Sequence, residues 1–166
     1  MPLSATAQEQ IDKEIRKYPA EQKQSAVMSA LRIVQAEKGW LQATDIAAVA
    51  EYLDMPAIAV HEVATFYNMY YLNKVGKHVL TICTNLPCAL SGGQDAADYL
   101  RKKLNINFGE TTPDGLFTLR EGECMGACGD APVLLHNNHK MCSFMDNQTI
   151  DALIAEMSAS ADTSTN

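Results

Sequence analysis

Long apolar runs, basic blocks and a secretory signal are all missing from this sequence. No apolar stretch approaches the roughly 18 residues that a membrane-spanning helix requires, so we expect no direct insertion into a membrane. The formal net charge is −7, and no cluster of lysine and arginine resembles those that bind nucleic acid. The first residues, MPLSATAQEQ, are polar and lack the apolar core of a signal peptide. Together these absences predict a cytoplasmic protein that has no nucleic-acid partner.

Cysteine is scarce, and its few positions are clustered. The 166 residues include five cysteines. Four lie in two short stretches, with Cys83 and Cys88 in CTNLPC and Cys124 and Cys128 in CMGAC. Cytoplasmic cysteines are kept reduced, and clusters of them bind metals or carry out redox chemistry more often than they form structural disulfides. The fifth, Cys142, could be a reserve ligand, but we interpret it as a small buried side chain on a strand.

The spacing of apolar residues changes near residue 76. Before that point apolar residues recur every three or four positions, which predicts an N-terminal helical bundle over residues 1–76 with three or four short helices. Residues 77–157 contain β-rich and helical segments in the order β-α-β-β-α, and residues 158–166 are predicted to be disordered. The predicted fold class is therefore α+β, with a helical bundle followed by an α/β domain.

Local signals predict where several helices begin and end. The first long apolar pattern breaks at Gly39, Thr44 fits the N-cap of the next helix, and Pro56 suits the first turn of another. In the second half, Ser91 and Gln94 have the spacing of a capping box. These signals predict the starts of three helices and the end of one.

Each cysteine pair follows a predicted strand. The segment HVLTIC ends at Cys83, and Cys88 is predicted in the loop before a helix. The segment LFTLRE runs into Cys124, and Cys128 follows in a glycine-containing loop. If the two strands are neighbours in one sheet, all four sulfurs lie at one edge of the domain.

Four thiolates without a carboxylate or an imidazole suit a soft metal centre, either zinc or iron–sulfur. Structural zinc usually uses C-x₂-C pairs, whereas the gaps here are four and three residues. Gly126 and Gly129 would let the backbone open around a larger diiron core and donate amide hydrogen bonds to sulfur. Four cysteines are also the usual ligand set of a [2Fe–2S] cluster. The residues therefore favour [2Fe–2S], with zinc as the alternative.

The two cysteine spacings, C-x₄-C and C-x₃-C, resemble those of the thioredoxin-like [2Fe–2S] ferredoxins. The segments IVQAEKGWL, VHEVATFYNMY and VGKHVLTICTNLPC are similar to one branch of that family, the small iron–sulfur subunits of the NADH-dehydrogenase module of bacterial respiratory complex I. The resemblance runs from about residue 10 to residue 157. It implies that residues 77–157 form a thioredoxin-like [2Fe–2S] ferredoxin domain.

The resemblance also implies roles for particular residues and partners. Cys83 and Cys88 should bind one iron, and Cys124 and Cys128 the other. The partner should be a larger flavoprotein subunit that carries FMN, the NADH site and a [4Fe–4S] cluster. The chain would act in an NADH:quinone oxidoreductase, a translocase, by holding one electron from the reduced flavin. It would lie peripherally on the cytoplasmic side of the inner membrane. The sequence has no G-x-G-x-x-G, so we expect no NADH or quinone site of its own.

The sequence leaves two other functions open. Closely similar subunits occur in soluble NAD-dependent formate dehydrogenases and hydrogenases, and a zinc-stabilised interaction module would use the same four cysteines. A thiol–disulfide oxidoreductase is less favoured, because its C-x-x-C is absent. His136 and His139 do not form the C-x-H pairs of a Rieske centre, so we interpret them as turn residues.

Overall fold

The computed structural model describes residues 2–162, and the side chains of residues 2–159. The chain divides into two compact units between Lys74 and Val75, which we call the N-terminal unit and the C-terminal unit. This division lies close to the boundary that the apolar spacing predicts near residue 76. No helix within residues 2–162 is long and apolar enough to cross a membrane.

The N-terminal unit is a bundle of helices, as its apolar spacing predicts. The helices are α1 (Ala5–Ile15), α2 (Val27–Lys38), α3 (Ala43–Tyr52) and α4 (Ala57–Phe66), with a 3₁₀ segment (Ala20–Ala26) between the first two. Each helix contributes a fully buried apolar side chain to one core, namely Ile11, Leu31, Val49 and Val60. Burial of these apolar faces stabilises helices that would be too short to persist alone in water.

The helix-end signals in this unit are only partly correct. Gly39 ends α2 with a φ of 84°, a left-handed angle that glycine adopts readily. Thr44 is not the N-cap of α3, so that prediction is wrong. Gln42 begins the helix instead, because its backbone N–H donates to the Asp45 carboxylate at 3.0 Å while its side chain accepts from the Asp45 backbone. Pro56 lies immediately before α4 rather than in its first turn.

The C-terminal unit combines one mixed sheet with three helices, so the predicted α+β class is confirmed. The elements in chain order are β1 (His78–Cys83), α5 (Leu86–Leu90), α6 (Gly93–Leu104), β2 (Phe117–Gly122), β3 (Leu134–His136), β4 (Lys140–Cys142) and α7 (Asn147–Asp162). The strand order is β2-β1-β3-β4. Strands β1 and β2 are parallel, and the other two pairings are antiparallel.

One apolar core joins the sheet to the two longer helices of this unit. It includes Leu80 and Ile82 of β1, Leu119 of β2, Leu100 of α6 and Ile150 of α7, all fully buried. Strand β1 lies between β2 and β3, and all of its residues except the half-buried Thr81 are buried. The core therefore holds the ends of β1 and β2 in fixed register.

The start of α6 differs from the predicted capping box. The helix begins at Gly93 after Gly92, and no side chain caps it. Ser91 Oγ donates to the Pro87 carbonyl at 3.0 Å instead, because the chain is still closing α5 at this point. The prediction that Cys88 lies in a loop is wrong, because it is part of the short helix α5.

The C-terminal helix is longer than the sequence predicts. Helix α7 continues to Asp162, so the prediction of disorder is wrong for residues 158–162. The segment SASAD contains no glycine or proline, and alanine is the strongest helix former, so nothing there ends the helix. Residues 163–166, the rest of that prediction, lie outside the described residues.

Candidate metal centre

The four clustered cysteines lie at one edge of the C-terminal sheet. Cys83 is the last residue of β1, and Cys88 follows in α5. Strand β2 ends at Gly122, so Cys124 lies just beyond the strand rather than at its end, and Cys128 opens a 3₁₀ turn. Because β1 and β2 are parallel neighbours, their carboxyl ends carry both cysteine pairs to the same edge, as the sequence predicts.

The sulfurs are arranged in pairs. Cys124 Sγ and Cys128 Sγ are 3.6 Å apart. A tetrahedral metal with sulfur ligands at about 2.3 Å holds neighbouring sulfurs roughly 3.8 Å apart, so this pair already has the separation needed to bind one metal. Within residues 2–162, no group of three or more His, Cys, Asp or Glu side chains converges on the position of a single ion.

The thiols of the two pairs influence each other electrostatically. Burial raises the pKa of the Cys88 thiol, and the Cys83 and Cys128 sulfurs raise it further, while the Val133 backbone N–H opposes the shift. The hydrogen-bonded Cys124 thiol, followed by burial, raises the pKa of Cys128. Four thiolates this close repel one another, so a bound cation is needed to keep all of them deprotonated.

The two pairs differ sharply in exposure. Cys83 and Cys88 are each only 1% exposed and pack with Val133 in a small apolar cluster. Cys124 and Cys128 are exposed. A metal centre held by all four would therefore have one half inside the protein and the other half at the surface.

Backbone conformation supports the second pair through Gly126. Its φ is 75°, and its N–H donates to Cys124 Sγ across 3.5 Å. A Cβ at Gly126 would meet no protein atom within 4 Å, so its special requirement is the left-handed backbone rather than space. Gly129 has neither a left-handed φ nor a neighbouring atom within 4 Å. Of the two glycines that the sequence singles out, only Gly126 has a conformational reason to be glycine.

Gly93 is a supporting residue that the cysteine pattern does not reveal. A Cβ at this position would lie 2.7 Å from the Cys88 carbonyl oxygen and 3.0 Å from that of Cys83. Glycine therefore allows the first turn of α6 to pack directly against the backbone of the first pair. The sequence feature that could have revealed this residue is the doublet Gly92-Gly93 at the start of a predicted helix. Glycine is a poor helix former, so its presence there indicates a packing requirement.

Two side-chain hydrogen bonds connect the residues that follow Cys83 with those that lead into Cys124. Thr84 Oγ1 donates to Glu121 Oε1 at 2.8 Å, and Asn85 Nδ2 donates to Glu123 Oε2 at 2.8 Å. In each case the donor follows Cys83 and the acceptor precedes Cys124. These contacts hold the two loops at a fixed separation, which is what a preformed centre for a metal requires.

The remaining cysteine lies two strands from β1 but at the level of Ile82, because Cys142 pairs with Leu134 and Leu134 pairs with Ile82. Cys142 is on β4, partly buried against the core, in neither sulfur pair. Burial raises the pKa of its thiol. His136 hydrogen-bonds to His78, with Nε2 and Nδ1 3.0 Å apart, and His78 is at the opposite end of β1 from Cys83. His139 is exposed between β3 and β4, as a turn residue would be.

The donor set and the fold together define a class of protein. Two cysteine pairs at the ends of parallel strands, one of them with its sulfurs 3.6 Å apart, fit a two-iron centre with sulfur ligands only. The chain belongs to the thioredoxin-like [2Fe–2S] ferredoxin family, whose sequence model matches residues 11–158. The family resemblance of the cysteine spacings is thereby confirmed, and membership assigns a [2Fe–2S] cluster to the chain.

Two individual relatives of the chain are both subunits of NADH-quinone oxidoreductase. The chain is 46% identical to an NADH-quinone oxidoreductase subunit of Rickettsia prowazekii over 125 residues, which is 75% of this chain and 71% of the relative. It is 36% identical to NADH-quinone oxidoreductase subunit 2 of Thermus thermophilus over 152 residues, which is 92% of this chain and 84% of the relative.

A solved structure shares the fold at lower sequence identity. An NAD⁺-reducing [NiFe]-hydrogenase in its air-oxidised state superposes on 81% of this chain with a TM-score of 0.69 and 22% identity. The matched region is 23% of the hydrogenase chain. At this identity the likeness shows the fold alone.

Proposed function

We propose that this chain is the [2Fe–2S] subunit of the NADH-oxidising module of an NADH:quinone oxidoreductase. The observation that carries the proposal is the presence of two cysteine pairs at the ends of parallel β1 and β2. The relatives named as NADH-quinone oxidoreductase subunits support it, since the Rickettsia protein matches three quarters of the chain. In this proposal Cys83 and Cys88 bind one iron, and Cys124 and Cys128 bind the other.

A bound [2Fe–2S] cluster supplies one-electron storage, and the residues of this chain determine its surroundings. The buried pair excludes water from one side of the site. The Gly126 N–H at Cys124 and the Val133 N–H at Cys88 stabilise negative charge on sulfur. Such hydrogen bonds favour the reduced state, which carries one more negative charge.

The proposed partner is a flavoprotein subunit that carries FMN, the NADH site and a [4Fe–4S] cluster. The chain would accept one electron from the reduced flavin and return it. As part of the larger complex it would lie on the cytoplasmic side of the inner membrane, without inserting into it. No NADH or quinone site is assigned to the chain itself.

Anaerobic purification of the full chain tests the cluster directly. Iron and acid-labile sulfide should be present in equal amounts, and the visible spectrum should bleach with dithionite as an EPR signal of a reduced [2Fe–2S] cluster develops. Zinc without labile sulfide would overturn the assignment and favour the interaction module, because zinc has no redox chemistry.

The identity of the proteins that co-purify tests the assignment to a complex. A flavin-containing subunit together with quinone-reducing membrane subunits would support NADH:quinone oxidoreductase. A molybdenum-containing or nickel–iron subunit would instead assign the same electron-transfer role to a soluble NAD-linked formate dehydrogenase or hydrogenase.

A further inference from the structure

Exposed apolar side chains flank the candidate cluster site. Leu86 and Leu90 of α5 are 70% and 80% exposed, and Phe144 is 61% exposed. The backbone segments that carry Leu90 and Phe144 approach each other, because the next residues along the chain, Ser91 and Met145, line one cavity. Single exposed apolar residues are common, but several beside one site indicate an interaction surface.

The apolar side chains are tied to the loops of the second cysteine pair. Leu86 adjoins Asn85, whose Nδ2 donates to Glu123 just before that pair. Phe144 donates its N–H to the Asp130 carbonyl at 2.8 Å, just after the pair. Phe144 has a φ of 53°, a left-handed angle that bulky residues rarely adopt, yet its ring is exposed. Burial of the ring therefore does not offset the cost of this backbone conformation, and the ring remains at the surface.

Charge is distributed unevenly along the strands of the C-terminal unit. Five carboxylates lie at the end where β1 and β2 terminate, namely Asp95, Glu121, Glu123, Asp130 and Asp146. The basic residue on β2 near this end is Arg120. Five cations lie toward the other end, at Lys77, in the last turn of α6 (Arg101, Lys102 and Lys103) and at Lys140.

The carboxylates near the cysteines are oriented by neutral donors. Thr84 contacts Glu121, Asn85 contacts Glu123, and Ser143 Oγ donates to Asp130 Oδ2 at 3.2 Å. These donors carry no charge, so they orient the carboxylates without neutralising them. At the other end, Arg101 and Lys103 form salt bridges with Asp98 and Asp151. The sulfur edge of the unit is consequently acidic.

We propose that this surface docks an electron-transfer protein that presents an apolar patch surrounded by basic residues. We call it the cluster face and define it by Leu86, Leu90, Phe144 and the exposed Cys124 and Cys128. Apolar contact supplies affinity at its centre, and attraction between the acidic edge and the basic rim of the partner orients the encounter and speeds it. That such a partner exists rests on the proposed function. The chemistry expected of the partner's surface is inferred from the cluster face of this chain.

Small inorganic oxidants test the charge of the face without any protein partner. The reduced holoprotein gives one electron to hexaammineruthenium(III), which becomes ruthenium(II), or to ferricyanide, which becomes ferrocyanide. Stopped-flow rates should favour the cation at low ionic strength, and the preference should fall as salt is added. Glu123→Gln should lower the preference about two- to threefold while keeping the acceptor for Asn85.

The matched control is Glu156→Gln, a single neutralisation on the exposed part of α7. It should change the ratio of the two rates much less than Glu123→Gln does. Equal effects of the two variants would overturn the acidic cluster face, because the preference would then reflect only the net charge of the protein and its cluster.

Association with the flavoprotein subunit, purified from co-expression, tests the apolar centre. Leu86→Ser and Leu90→Ser should each raise the Kd about tenfold, since each removes a leucine side chain from a buried interface. Met141→Ser is the control, because Met141 is an exposed apolar residue on β4 that is not part of the cluster face. Raising the salt concentration should slow association of the wild type and of Met141→Ser alike.

The outcomes separate this inference from the proposed function. If the wild type binds no flavoprotein, the proposed function fails. If it binds but Leu86→Ser, Leu90→Ser and salt have no effect, the docking surface is wrong and the function stands. Light scattering that shows a dimer abolished by Leu90→Ser would also overturn the inference, because a second copy of the chain would then be the occupant.

Discussion

Cys83 lies directly opposite Gly122 across the parallel pairing of β1 and β2. The last residue of each strand is therefore in register, and the loops that follow leave the sheet at the same level. A slip of one residue would turn the side chains of one strand to the opposite face. The alignment of the two cysteine pairs thus depends on the register of the sheet as well as on the cysteines themselves.

Serine substitution tests the ligand set. Cys88→Ser replaces a buried sulfur with an oxygen that suits iron less well, so we expect the cluster to be lost or strongly destabilised. Visible absorption and iron content after anaerobic purification measure the effect. Cys142→Ser is the matched control, and an intact cluster is expected there. Bleaching in Cys142→Ser alone would show that the proposed ligand set is wrong.

Gly93→Ala tests the packing of α6 against the first pair. The new Cβ would lie 2.7 Å from the Cys88 carbonyl oxygen, which is backbone and cannot rotate away. We expect destabilisation by about 1–3 kcal/mol and slower cluster assembly, measured by thermal unfolding and by reconstitution kinetics. Gly129→Ala, at a right-handed position where a Cβ would meet no protein atom within 4 Å, should leave both unchanged. Similar behaviour of the two variants would contradict the steric explanation.

Gly126→Ala tests the left-handed turn beside Cys124. Placing a Cβ at a φ of 75° costs about 1–2 kcal/mol, and relief of that strain should shift the N–H away from Cys124 Sγ. We expect altered EPR g-values together with lower stability. Gly39→Ala provides the control, since Gly39 has a φ of 84° at the end of α2. It should lower stability while leaving the EPR spectrum of the cluster unchanged.

The His78–His136 pair predicts how stability depends on pH. Burial, followed by Lys77, lowers the pKa of His78, and burial, His78 and Lys140 lower that of His136. The Met157 backbone opposes the first shift, and Glu156 the second. Because the folded pKa values lie below the unfolded value of 6.5, the unfolded chain takes up more protons.

The contribution of these two histidines to the free energy of unfolding should therefore be fully present above pH 6.5 and decrease as the pH falls below that value. Denaturant unfolding at several pH values measures the slope, with the cluster state held constant. His78→Gln should reduce the slope, because it removes one of the two groups and leaves His136 beside an uncharged partner. An unchanged slope in that variant would show that other groups control the acid sensitivity.

The secondary-structure elements that the sequence predicts correctly are those that depend on short-range patterns. Apolar spacing predicts the helical N-terminal unit, and the β-rich composition of HVLTIC predicts β1, because both depend on residues only a few positions apart. The capping prediction at Thr44 fails because Gln42 and Asp45 cap the first helix. The prediction at Ser91 fails because its hydroxyl donates to the Pro87 carbonyl and α6 begins without a side-chain cap. Several polar side chains near a helix end can make such contacts, and the spacing of residue types alone does not choose among them.

The chemistry of this protein can be read from its residues alone: four cysteines in two pairs, with spacings that match one family, and a helical segment without metal ligands. Folding adds the burial of Cys83 and Cys88, the exposure of Cys124 and Cys128, the packing of Gly93 on the first pair and the carboxylates at the sulfur edge. Spacing is a property of neighbouring residues. Exposure and charge distribution instead depend on which distant strands pair and in which direction, which no local pattern encodes.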